Sequence, residues 1–173
     1  MNRKLWAIAV AAVLLFAFAA PVAAEDPSRP FGGWTSGPDT TDENPTGCPA
    51  GSFIRYGNTG TGQFLHLGLV EAVVTHCTRL DVATGAGWFD DGTITITAAN
   101  GDTLVLDHQG TFQLSPWGTP PPWTSDFVMT WDVVGGTGRF ENATGSGIGG
   151  GFADGVGLPG STTTTWLSGA IAY

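Results

Sequence analysis

Basic residues are the first thing this chain lacks. Lysine occurs only as Lys4 and arginine only at positions 3, 29, 55, 79 and 139, against 15 aspartates and glutamates, for a formal net charge of −9. Such an acidic surface repels phosphate backbones and anionic lipid headgroups, which disfavours nucleic-acid and membrane-surface binding. Helical periodicity is missing as well: no stretch after residue 24 sustains apolar residues at the spacing of a helix face. There is no Gly-x-Ser-x-Gly elbow, no pair of neighbouring cysteines and no His-x-x-x-His spacing, so no metal site and no cofactor is expected. Gly145-Ser146-Gly147-Ile148-Gly149-Gly150 spells the dinucleotide fingerprint. That motif works only where a strand turns into a helix, and no helix follows here.

What is present begins with an export signal. Asn2, Arg3 and Lys4 give a charged start, residues 5–20 an apolar core, and Val22 and Ala24 the small residues before a cleavage point at Glu25. The apolar run is shorter than the roughly 20 residues of a spanning helix. Residues 1–24 therefore read as a signal peptide, and the mature protein as secreted and free of the membrane. Its two cysteines, Cys48 and Cys77, predict one disulfide in an oxidising compartment. The alternative is a metal site using His76 beside Cys77, but Cys48 has no further ligand near it. Residues 25–47, rich in Pro, Gly, Asp, Thr and Ser, predict a flexible arm ahead of a domain over 48–173.

The domain reads as strands. Order is expected to begin near residues 52–56, with a turn at Gly57-Asn58-Thr59-Gly60. Residues 63–80 carry no turn signal and read as one long bent strand, or as two joined by a bulge near 68–71. Thr93-Ile94-Thr95-Ile96-Thr97 alternates strictly, and Asn100-Gly101 predicts a type I′ hairpin into residues 103–108. A further strand is expected at 111–114, after a break at Gln109-Gly110. The three prolines at 120–122 exclude a central strand there. That segment reads as an extended loop carrying Trp117 and Trp123 across one end of a barrel. Phe127, Met129, Trp131 and Val133 share one face of the next strand, Asp126, Val128, Thr130 and Asp132 the other. The glycine-dense residues 135–151 predict a turn, a compact arc at 138–143 and a glycine-rich strand. A last strand over 162–173 is expected to tie the C-terminus into the sheet. Eight or nine short strands joined in sequence order predict an all-β, up-and-down barrel.

Three segments resemble the bacterial allene oxide cyclase barrel-like family. Gly62-Gln63-Phe64-Leu65-His66-Leu67-Gly68 is similar to its "THLG" strand, and Thr97-Ala98-Ala99-Asn100-Gly101-Asp102-Thr103-Leu104 to its "TAANGD" hairpin. Gly135-Gly136-Thr137-Gly138-Arg139-Phe140-Glu141-Asn142-Ala143-Thr144-Gly145-Ser146-Gly147 resembles its "GGTGRFxxATGSG" segment. The resemblance covers roughly residues 60–173. It implies an eight-stranded antiparallel barrel related to plant allene oxide cyclases, which act on a fatty-acid epoxide, and to dirigent proteins, which orient phenolic radicals. Assembly into oligomers is a further implication. The plant catalytic residues do not map position by position onto this chain, so the resemblance implies a fold rather than an activity.

Chemistry has few candidates. Glu71 stands alone in an apolar strand, and burial there would make it an acid or base. Either Glu71 or His66 is the candidate catalytic acid or base. Trp131, Phe127, Met129 and His108 are the candidate ligand-binding residues, beside a glycine strand expected to leave room for a ligand. Three functions follow: an exported barrel that binds an apolar small molecule or a partner, an isomerase or cyclase acting on a hydrophobic substrate, or a structural domain with a filled core.

Overall fold

The computed structural model of the chain describes residues 27–42 and 46–173. The signal peptide expected at 1–24 lies outside them. Eight strands follow in order: β1 (Arg29–Asp42), β2 (Ile54–Phe64), β3 (Gly68–Leu80), β4 (Ala86–Ala98), β5 (Thr103–Ser115), β6 (Trp123–Gly136), β7 (Thr144–Val156) and β8 (Thr162–Ala172). Each pairs antiparallel with the next, and β8 returns to β1, closing an eight-stranded barrel without a free edge. The one helical piece among the described residues is a 3₁₀ turn at Gly138–Phe140, where the compact arc is expected.

Several local expectations need correction. Most of the expected arm is strand β1, which lies between β2 and β8 with Phe31 buried inside the barrel. Low apolar content hides such a strand, because neighbouring ladders rather than a hydrophobic face hold it in place. Residues 57–60 are not a turn but the middle of β2, and residues 109–110 lie inside an unbroken β5. The stretch 63–80 folds back on itself at residues 65–67. There Leu67 N–H donates to the Phe64 carbonyl (3.3 Å), and His66 takes φ 67° before Gly68 at 74°. A histidine in the left-handed region carries no turn signature. At Asn100-Gly101 only the glycine has positive φ, 89°, and Gly101 N–H donates to Ala98 O. This is the wider hairpin with a left-handed glycine, not type I′.

Inward side chains divide the barrel into two halves. One half is filled: Phe31, Phe64, Ile96, Leu104, Leu106, Trp131, Phe140, Leu167 and Ile171 are buried there. Phe31 stacks on Phe64 (5.1 Å) and meets Trp131 edge-on (5.3 Å). The Trp131 indole N–H donates to Ile148 O at 3.0 Å. Glycine-rich β7 makes this packing possible. A Cβ at Gly147 would lie 2.4 Å from the Trp131 ring, one at Gly149 2.9 Å from Met129 and one at Gly151 2.8 Å from Phe127. The glycines therefore do not leave an empty space beside that face; the large β6 side chains lie across them.

Two of the three segments that carry the family resemblance, 97–104 and 135–147, meet at this filled end. Thr137 Oγ1 accepts from Thr103 N–H (3.0 Å), and Arg139 approaches Asp102 (3.6 Å) beside the buried Phe140. They join the β4–β5 and β6–β7 connections, which is packing chemistry. On the outer wall Cys48 and Cys77 form the expected disulfide, Cα–Cα 5.6 Å, pinning the β1–β2 connection against β3.

Candidate functional site

The other half of the barrel is hollow. A cavity of about 510 Å³ opens at the end formed by the β1–β2, β3–β4, β5–β6 and β7–β8 connections. Its wall is mostly apolar, with Phe89, Ile94, Phe112, Leu114, Phe127 and Met129 among its lining. Trp123, at the end of the proline-rich loop, stands at the mouth with its indole N–H on Thr119 O (2.9 Å), and packs on Trp117 (5.2 Å). The loop therefore helps to build the rim, as its composition predicts.

Besides scattered threonines and serines, two groups with titratable side chains interrupt the wall. The first is a histidine pair, His76 Nδ1 and His108 Nε2 3.0 Å apart. The two lie on β3 and β5, with β4 between them, and Gly92 is the reason they meet. It sits opposite His108 in the β4–β5 ladder, and a Cβ there would come within 2.4 Å of the His108 ring. The β-bulge at Asp90 and Asp91 turns Gly92 inward, since Phe89 and Ile94 are both buried across it. The His76 ring is stacked between Tyr56 (4.6 Å) and Phe89 (4.5 Å).

Burial and then the neighbouring His108 hold the His76 pKa well below its ordinary value. Burial lowers that of His108 to about 4, with the Gly92 backbone opposing. His108 Nδ1 faces Gly92 without a well-formed hydrogen bond. Both rings are thus neutral at physiological pH, and one of the two facing nitrogens carries the shared proton.

The second group joins β1, β2 and β8. Tyr56 donates its hydroxyl proton to Asp39 Oδ1 at 2.7 Å, and Thr163, 2.8 Å away, is left to donate to the phenolic oxygen. Asn58 Nδ2 donates to Asp39 Oδ1 (3.0 Å) and to the carbonyls of Gly37 (2.8 Å) and Pro38 (3.0 Å). Burial, followed by the negative charge of Asp39, raises the Tyr56 pKa, so the phenol stays protonated.

The expected site residues divide accordingly. His108, Phe127 and Met129 line the cavity. Trp131 faces inward too, but belongs to the packed half beneath it. Glu71 does not face inward: it is exposed on the outer wall, one step in the period-2 pattern from the buried Val70 and Ala72. His66 is exposed in the β2–β3 turn. Neither lines the cavity, so neither is placed to act as acid or base on a molecule inside it. Tyr56, Asn58 and Asp39 are the site residues that sequence reasoning missed, and His76, weighed there only as a metal ligand, joins them in the cavity wall. The signal was there in Tyr56 and Asn58, which share a parity, but the Gly-Asn-Thr-Gly turn reading concealed it. His76 faces in and Cys77 out to the disulfide, which removes the two as partners on one metal.

No family model, curated protein or solved structure matches the chain.

Proposed function

We propose that this is an exported barrel that binds an apolar small molecule in its open half. The half-empty interior carries the reading. A filled structural core would continue the packing around Trp131 to both ends, whereas here the aromatic wall encloses about 510 Å³ with a few convergent polar groups. That is the usual make-up of a small-molecule site. Export is supported by the Cys48–Cys77 bridge and by the layout of residues 1–24. Kinship with allene oxide cyclase-like barrels belongs to the same proposal, supported by the sequence motifs and compatible with the closed barrel.

A second reading, an isomerase or cyclase, draws on one observation, the neutral His76–His108 pair inside an apolar cavity. A neutral imidazole of the pair can take a proton from a bound substrate and return it, the imidazolium charge being balanced by the anion left on the substrate.

Binding is tested by tryptophan fluorescence against a panel of apolar compounds. Trp123 stands at the cavity and Trp131 is packed away from it, so a saturable change should vanish in Trp123→Phe and persist in Trp131→Phe. A signal that disappears with Trp131 instead, or no saturable change with any compound, would remove the binding reading.

A further inference from the structure

The titratable groups facing the cavity, set among hydroxyls such as Thr78 and Ser125 that serve any polar guest, are biased toward one kind of ligand. Tyr56 has a single proton and gives it to Asp39 Oδ1, so its hydroxyl has no donor left for a guest. The Asn58 amide hydrogens are committed to Asp39 and to two backbone carbonyls. Both bonds to Asp39 end on Oδ1, and Oδ2 has no hydrogen-bond partner among the described residues, although the residue lines the cavity. Among the described lining residues none is lysine or arginine. Arg79 is turned to Asp90, Arg55 reaches Thr46 O, and Arg29 and Arg139 lie over Tyr173 at the filled end. The histidine pair adds no positive charge.

A carboxylate guest would therefore lose its hydration, find no cation and share the space with Asp39. A protonated amine would find the opposite. It carries donors for Oδ2, a charge complementary to Asp39, and a hydrocarbon body suited to Phe112, Phe127 and Trp123, whose ring faces also attract cations. We propose that the occupant of the cavity is an apolar organic cation, an amine whose ammonium group bonds Asp39 Oδ2 while its frame lies against the aromatic wall. This rests on the reading of the cavity as a binding site and narrows it. The acidic chain, with its formal net charge of −9, draws the same class of molecule from solution.

The test compares three probes with one frame: 2-naphthylethylamine, the corresponding alcohol, and 2-naphthylacetate. Each is titrated calorimetrically into the mature protein near neutral pH and at low salt. The amine should bind at least roughly tenfold more tightly than the alcohol, and the carboxylate most weakly. Asp39→Asn should weaken the amine by roughly tenfold or more and the alcohol much less. The wild-type comparison decides the matter even if that variant fails to fold. A carboxylate or alcohol that binds as tightly as the amine overturns the amine assignment and leaves the binding cavity standing. An amine preference that survives Asp39→Asn overturns Asp39 as its source. Failure of all three probes to bind overturns the cavity reading itself.

Discussion

Replacing Phe31 by alanine tests where the barrel begins. The side chain is 2% exposed, stacked on Phe64 and set edge-on against Trp131. A phenyl ring buries on the order of 150 Å², worth roughly 4 kcal/mol at about 25 cal/mol per Å². That is an upper figure, because the unfolded chain already buries part of the area. The void left beside Trp131 and the two lost ring contacts act in the other direction. Together they place Phe31→Ala within the usual range for buried phenylalanine, about 3–5 kcal/mol. For a domain of this size each kcal/mol moves Tm by roughly 2–4 °C, so a fall of about 6–20 °C is expected. Trp34 is the internal control. It lies on the same strand but is 51% exposed, opposite the half-exposed Trp166 on β8. Trp34→Ala removes one surface cross-strand pair, about 0.2–1 kcal/mol. Thermal and urea melts of the two variants give the comparison. A loose N-terminal arm would make both changes silent. Equal Tm values for Phe31→Ala and Trp34→Ala would refute the placement of β1 inside the sheet.

Three further outcomes are expected. Gly147→Ala places a methyl group against the Trp131 ring and the Ser168 carbonyl, and overpacking of this kind should lower stability by about 1–3 kcal/mol in urea unfolding; an unchanged midpoint would show that the β6–β7 contact is loose. The depressed folded-state pKa values of His76 and His108 make protonation favour the unfolded chain, so stability is complete above the unfolded value near 6.5 and falls as pH drops toward about 4. His108→Asn should flatten urea midpoints over that window, and an unaltered pH dependence would count against a buried neutral pair. Replacing Cys48 and Cys77 by serine frees a 29-residue separation and should lower stability by about 3–4 kcal/mol, while thiol titration of the denatured, unreduced parent should find no free thiol.

Local alternation in the sequence was sufficient for much of the architecture. The isoleucines at 94 and 96 and the row Phe127, Met129, Trp131 and Val133 point inward because a strand's side chains alternate strictly once one face is buried. An expected export signal and an even cysteine count were enough to anticipate the disulfide. Strand β1 was not legible, since it has one buried large apolar residue and is held by backbone ladders on both sides, which no residue pattern displays. The turn at His66 was hidden by a backbone conformation that histidine seldom adopts. A misplaced turn also left undecided the face on which Glu71 lies. The site depended still more on tertiary structure. His76 and His108 are 32 residues apart and on strands that are not neighbours; they touch because barrel curvature brings inward side chains together over Gly92. Asp39, Tyr56 and Thr163 converge only when β8 closes on β1. Composition determined that this chain is an acidic all-β protein, but barrel closure decided which of its few polar side chains face the interior, because that depends on strand register and on what each neighbour leaves empty.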